Sequence, residues 1–422
     1  MPVSAARSAS VRSRRWRSAR RRGPTASRTG ERSSSATPAS CRSGKDACHP
    51  ERLGARSPRR GRETAARTCG GPVSATRDVG GQPVGEHEEL REQYDVVVVG
   101  GGAAGLAGAL TTARALRSTL VVDAGEPRNA PADGVHNYLG REGTGPRELV
   151  ALGRAEVEAY GGQVVRGTAT TAERLEDGGP GAPRFRVGLE DGRSVLARRL
   201  LVTTGVEDVL PDLPGLAERW GRDLLHCPFC HGREVADRVV GVLSVNAHGP
   251  DQALMWRGWS ERVVLLQHTG AAPSAEQAEK LAARGVEVVE GQVAALDVAD
   301  DAIRGVRLAD GRAVAVDALV TMSLAVARGG LLADLGLATA ELAMGELVLG
   351  EHVPADPTGA TSVPGLWVAG NVTAPMAPVL TAASAGMTAG SMITKDLVDD
   401  DTAVAVAAHR GALRLGRERV TA

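Results

Sequence analysis

The sequence predicts an α/β protein of two similar three-layer units, the second inserted into the first, behind a disordered N-terminal extension. Three observations carry this. Asp95-Val-Val-Val-Val99, a continuous β-branched run, is followed at once by Gly100-Gly-Gly-Ala-Ala-Gly105 and an Ala/Leu-rich stretch: strand, glycine turn, helix. A similar plan recurs between Arg238 and Met322. A last strand, Gly365–Gly370, and a small-residue helix, Ala377–Leu397, then return after the second plan is complete.

The 422 residues allow two or three domains and a large core. Fifty basic residues balance fifty acidic ones, so overall charge argues for no anionic partner. The balance is uneven, because the first seventy or so residues are rich in Arg and Ser. Residues 1–92 show no hydrophobic period and read as a disordered basic low-complexity extension. Cys41, Cys48-His49 and Cys69 within it fit no common zinc spacing. No apolar run reaches the ~18 residues that span a bilayer, and no secretory signal is read. A cytoplasmic, reducing location is therefore expected, where a CxxC serves catalysis or metal binding rather than a structural staple.

Order is expected from Tyr94. A helix follows the first glycine turn to about Leu116, and Leu120-Val-Val-Asp123 closes a βαβ unit. Glu148–Tyr160 reads as a helix, and Gly162–Val202 as short strands with a type I′ hairpin at Asp191-Gly192. The second unit is expected to hold strands at Val239–Val245 and Val263–Gln267, helices near Asp251–Trp256 and Glu276–Ala283, and a hairpin at Asp310-Gly311. This gives residues 93–214 with 330–400 as a discontinuous first domain, 215–329 as the nested domain, and 401–422 as a tail.

Gly100-x-Gly102-x-x-Gly105 sits between a strand and a helix, with Asp123 ending the next strand about 20 residues on. Gly100 permits a tight turn, Gly102 a close backbone approach to a pyrophosphate, and Gly105 close helix–strand packing. Unpaired N–H groups at the helix start would face the phosphates. The first unit thus reads as a Rossmann-like (three-layer ββα) nucleotide-binding fold, and the second is expected to repeat it, though the motif alone does not separate FAD from NAD.

Cys227-Pro-Phe-Cys230-His231-Gly232 carries the second chemistry. Zinc would normally require a second ligand pair, and outside the extension there is no further cysteine; His226 and His231 lie too close in sequence for a usual finger. Redox work is the better reading. If the second cysteine opens a helix, its pKa should fall, and His231 can carry the proton of thiol–disulfide exchange. A third segment, Pro364-Gly-Leu-Trp-Val-Ala-Gly370-Asn371, ends a strand just before a long helix.

Taken in order, GGGAAG, DAGEPRN, Thr203-Thr204-Gly205, CPFCHG and PGLWVAGN resemble the thioredoxin reductase family of FAD-dependent pyridine nucleotide-disulfide oxidoreductases, over about Tyr94–Leu397. The resemblance implies FAD held by Gly100, Gly102, Ala103, Ala104, Gly105, Asp123, Ala124, Arg128, Asn129, Thr204, Gly205, Gly370 and Asn371. It implies catalysis by Cys227, Cys230 and His231, with Cys230 facing the flavin, Cys227 exchanging with substrate, and His231 where the family carries an acid–base Asp. Asn371 stands where the family has an Asp. A homodimer is also implied.

The resemblance departs at the second nucleotide turn. Ser244 and Asn246 fall where the first two glycines belong, and Gln267-His268-Thr269 lacks the arginines that hold a 2′-phosphate. This makes NADPH use uncertain. With CPFCHG it looks like the branch that oxidises small dithiols in gliotoxin- and holomycin-type biosynthesis, where electrons pass from dithiol to FAD to oxygen. An NAD(P)H-dependent reductase of a thioredoxin-like protein remains the alternative. From other classes, an inactive nucleotide-binding regulator is opposed by the intact CxxC, and a nucleic-acid binder by an arm without interleaved aromatics. Neither nucleic acid nor membrane is expected as a partner.

Overall fold

The computed structural model describes residues 89–421, residue 177 excepted. The arginine-rich segment with Cys41, Cys48, His49 and Cys69 lies outside them. Packing begins slightly before Tyr94: Leu90 lies against the core, and the Arg91 N–H donates to the Tyr94 hydroxyl at 2.9 Å.

The first unit is organised by a seven-stranded sheet. Its path runs Gln163–Arg166, Thr119–Asp123, Gln93–Val99, Ser194–Val202, Phe185–Leu189 and Ala169–Arg174, and Leu366–Val368 also pairs with Ser194–Val202. The inner pairings are parallel and the hairpin strands antiparallel. The valine run is buried on both faces. Val97 and Val99 enter one core with Leu200, Leu332 and Val353, while Val96 and Val98 pack on Ala104, Leu106 and Ile393 of the covering helices. This two-sided burial is why the strand is apolar without alternation.

The second unit repeats the plan. Its parallel sheet runs Glu287–Val289, Arg262–Leu266, Val239–Leu243, Ala318–Val320 and Leu224–Leu225. Helices Gly249–Trp256 and Ala275–Ala283 cover one side, and an antiparallel meander, Val293–Ala299, Ala302–Leu308 and Ala313–Ala315, supplies the other layer. The chain enters through Val206–Val209 and leaves through the antiparallel Leu324–Ala327, both in a four-stranded sheet with Ala340–Met344 and Leu347–His352. The second unit is therefore nested in a discontinuous first one, as expected. Among the described residues no helix is long and apolar enough to cross a membrane.

Two local expectations are corrected. The Asp191-Gly192 hairpin is not a two-residue type I′ turn. The Gly192 N–H donates to Leu189, the Leu189 N–H to Arg193, and Gly192 takes φ 86°. This is a turn over residues 189–192 closed by a left-handed glycine, a longer loop that absorbs strand twist through a bulge. Asp310-Gly311 closes the same way, with Gly311 N–H on Leu308 and φ 92°.

The C-terminal helix is also longer than expected. It runs Val379–Thr421, so no separate tail begins at residue 401. The acids that resemble a stop are anchors. Asp400 and Asp401 lie 2.7 and 2.6 Å from the nearly buried Arg198, which also holds Asp95 at 2.8 Å, and Arg117 meets Asp401 at 2.6 Å. Alanine-rich sequence carries the helix on.

This helix crosses Ala103–Arg114 on backbone contact. A Cβ on Gly386 would lie 1.9 Å from the Ala104 carbonyl oxygen, and one on Gly390 2.7 Å from that of Gly108. The Gly386→Ala change should cost about 1–3 kcal/mol by forcing the helices apart. Gly411→Ala, where the new methyl meets nothing, should stabilise by up to ~1 kcal/mol through helix propensity. Urea unfolding midpoints of the two variants check the opposite signs.

Candidate active site

The first glycine turn is shaped by what each glycine meets. Gly100 takes φ 102° with the Thr203 carbonyl 2.6 Å from any added Cβ, and a Cβ on Gly105 would lie 1.9 Å from the Gly100 carbonyl oxygen. At Gly102, the N-cap of the first helix, an added Cβ meets nothing within 4 Å, and no side chain caps the helix. The helix N–H groups therefore face open space, the arrangement that receives a phosphate. Asp123 bends over the turn, its Oδ1 accepting the Gly101 N–H at 3.0 Å and its Oδ2 lying 3.4 Å from Arg154.

That space belongs to a cavity of about 850 Å³ reaching the dithiol. Its lining brings together Gly100, Gly102, Ala103, Ala104, Asp123, Ala124, Arg128, Asn129, Thr204, Gly205, Gly370, Asn371, Cys227, Cys230 and His231. Gly105 alone of the expected residues is not in the wall; it serves the helix–strand contact behind it. An open glycine, an uncapped helix start and a cavity of this size suit a dinucleotide.

The dithiol turn is a single helical turn, Pro228–His231, with Cys227 as its N-cap and proline just inside it. The Cys230 Sγ donates to Cys227 Sγ at 2.7 Å. This donation, with the N–H groups of Cys230 and Phe229, draws the Cys227 thiol down to about 7 against the pull of burial. Cys230, as the donor and itself buried, is pushed up. The expectation of a lowered second cysteine is thus corrected: the first cysteine holds the cap position and accepts the S–H of the second. Among the described residues no group of three or more His, Cys, Asp or Glu is placed to hold a metal.

The groups around the pair span the whole chain. Arg128 makes a two-pronged pair with Asp208, both at 2.7 Å, and donates to the Pro375 carbonyl at 2.8 Å. Burial opposes ionisation of Asp208, but Arg128 and the Ser323 hydroxyl hold its carboxyl below the usual range. Three of the five guanidinium N–H groups of Arg128 are thereby engaged, while the side chain stays in the cavity wall. The Asn371 amide donates to the carbonyls of Ala374, Pro375 and Ala377, leaving its oxygen as an acceptor. His226 stacks on Trp220 at 5.3 Å, and burial, then Arg128, depress it to about 4. Burial also lowers His231, with Glu234 opposing, so it stays neutral near pH 7. Phe229, 63% exposed, meets Trp259 edge-on at 5.2 Å.

Sequence reasoning missed Asp208, His226 and the loop carrying His136 and Asn137. The loop signal, glycines at 134, 140 and 143, was present; its contacts with Phe229 and Glu234 were not readable.

In the nested unit, Ser244-x-Asn246-x-x-Gly249 occupies the equivalent turn. Gly249 keeps the third-glycine role: an added Cβ would lie 2.0 Å from Ser244 Oγ. Ser244 is buried, and its hydroxyl donates to the Asn246 carbonyl at 3.1 Å. Asn246 Oδ1 accepts the His248 N–H at 2.9 Å. His248 is the N-cap of the following helix, so a backbone donor at this turn is already engaged. His268 accepts the Val293 N–H at 3.1 Å, with no arginine beside it in sequence.

A dithiol opening on a cavity that suits a dinucleotide, within two nested α/β units, is the arrangement that thiol–disulfide exchange with a bound nucleotide cofactor requires. The model of the pyridine nucleotide-disulphide oxidoreductase family matches residues 94–390, and the chain belongs to that family. It is similar to thioredoxin reductase tcpT of Claviceps purpurea, 31% identical over 315 residues covering 72% of this chain and 95% of the relative. Thioredoxin reductase sirT of Leptosphaeria maculans is 28% identical, covering 74% and 96%. The crystal structure of HlmI superposes with TM-score 0.70 at 41% identity, over 78% of this chain and 100% of HlmI. The thioredoxin reductase-like character read from the motifs is therefore shown.

In the reduced protein, iodoacetamide should label Cys227 with a pH midpoint near 7, since the reactive thiolate forms as pH rises through that value. Cys230 should resist until far more alkaline pH. Mass mapping of pulse-labelled peptides checks this; preferential labelling of Cys230 at neutral pH would contradict it.

Proposed function

We propose that this oxidoreductase binds FAD and uses Cys227–Cys230 to oxidise a small dithiol to its disulfide, with oxygen as final acceptor. The observation that carries the direction of electron flow is the second turn. Ser244 and Asn246 fill it with their own atoms, and the His248 N–H is turned onto Asn246. A pyrophosphate would meet side chains where the first turn offers open space at Gly102. This supports electrons arriving from substrate rather than from NADPH.

The FAD pyrophosphate would lie on the Gly100–Gly105 turn, its ribose toward Asp123, with Thr204, Gly205 and the Gly370-Asn371 segment along the cavity. Bound there, FAD supplies a two-electron acceptor for the dithiol that returns its electrons to oxygen as hydrogen peroxide. His231, neutral near pH 7, takes the proton of a substrate thiol. That thiolate attacks Cys227 of the oxidised pair, forming a mixed disulfide and releasing Cys230 as thiolate. The second substrate thiol then attacks the substrate sulfur of the mixed disulfide. Cys227 leaves as thiolate, and its lowered pKa makes it a good leaving group. The substrate loses two electrons and two protons, which oxygen takes up.

The relatives' name, thioredoxin reductase, supports a second reading in which NADPH feeds the pair and a thioredoxin-like disulfide is reduced. An anaerobic titration followed at the flavin absorbance separates the two. A small dithiol should bleach the flavin, and NADPH should do so slowly or not at all. Rapid stoichiometric bleaching by NADPH would sink the oxidase reading.

A further inference from the structure

The loop between Gly134 and Gly143 grips the dithiol turn from outside its own unit. Val135 and Thr144 form a bridge that closes the loop. The Glu142 carboxylate binds two points near its tip, His136 Nδ1 and the Asn137 N–H, both at 2.8 Å. Asn137 is thereby held at φ 59°, a left-handed conformation that Asn tolerates better than most residues. Its side-chain amide then donates to the Phe229 carbonyl at 2.5 Å, while His136 Nε2 lies 3.6 Å from Glu234 just beyond the turn.

The Phe229 carbonyl shares one peptide group with the Cys230 N–H. That N–H points back at Cys227, bonding its carbonyl at 3.2 Å and helping to stabilise its thiolate. In a single turn the carbonyls lack the partners that a longer helix would give them. Asn137 fills that need at Phe229. A donor on a peptide's oxygen both fixes the plane of the group and polarises its N–H.

We propose that Asn137 is a positioning residue for the dithiol, acting on Cys227 through the Phe229–Cys230 peptide group. The proposal rests on the reading of Cys227–Cys230 as the redox pair. Asn137 touches neither sulfur, and its contribution is to hold the peptide group whose N–H binds the Cys227 carbonyl, and with it the cap position of Cys227. The other ionisable groups about the pair, Arg128, Asp208, His226 and His231, are left in place when Asn137 is replaced.

The test is alkylation of the reduced full-length holoenzyme by iodoacetamide across pH, with peptide mapping of Cys227. Asn137→Gly keeps the left-handed backbone and removes the donor. Asn137→Asp keeps the shape and faces the carbonyl with an acceptor. Both should slow Cys227 labelling at pH 7 about fivefold and move its midpoint toward the ordinary thiol value of ~8.5. Asp should act at least as strongly as Gly, and should either variant fail to fold, the other decides. Wild-type profiles would overturn the proposal. So would faster labelling at every pH with an unmoved midpoint, the mark of a turn merely loosened. Labelling needs no dithiol, NADPH or oxygen turnover, whereas a failed redox reading would appear as a wild-type flavin that no dithiol bleaches.

Discussion

The arrangement on which the rest of the site depends is the pairing of two sulfurs across one helical turn. Cys227 caps that turn, its sulfur accepts the Cys230 S–H, and its carbonyl accepts the N–H groups of Cys230 and His231. The turn is too short to hold itself by intrahelical bonds. It is held from outside, by Trp259 packed on Phe229 and by the loop whose Asn137 binds the Phe229 carbonyl. The asymmetry between the two thiols follows first from the S–H donation of Cys230 to Cys227 and needs no cation close to Cys227.

The two glycine turns keep one backbone plan and differ in the side chains that fill them. A Cβ added to Gly105 or Gly249 would lie 1.9 or 2.0 Å from the residue that starts its turn, so both units require a glycine there for close helix–strand packing. The difference lies at the second motif position. Gly102 leaves a hole, and Asn246 fills it with a side chain that binds the turn's own backbone. The nested unit thus keeps the backbone plan while Ser244 and Asn246 occupy its turn. This is consistent with membership of a family whose relatives carry the name thioredoxin reductase.

Much of this was legible in the sequence, because the informative features are local. The valine run, the glycine spacing and CPFCHG each encode their structure within a few residues. Pro228 also signalled, to a stricter reading, that Cys227 rather than Cys230 would be the cap, since proline favours the first helical position. The Asp-Gly hairpins misled because the same dipeptide serves both a two-residue turn and a longer loop closed by a left-handed glycine. The C-terminal helix outran expectation because Asp400 and Asp401 read as a terminus until Arg198, some two hundred positions earlier, is seen to bind them. Arg128 with Asp208, and Asn137 with Phe229, are likewise pairings of distant segments that no local pattern announces.

The central claim is that electrons enter at Cys227 from a dithiol and leave to oxygen, with the nested nucleotide turn idle. The most direct measurement is the stoichiometry of turnover by the FAD-loaded protein with a small dithiol in air-saturated buffer, without NADPH. One molecule of oxygen consumed and one of hydrogen peroxide formed per disulfide, with no turnover after Cys227→Ser, is the predicted result. The claim is contradicted if nothing turns over until NADPH and a disulfide are supplied, and NADPH is then consumed one for one with the disulfide reduced.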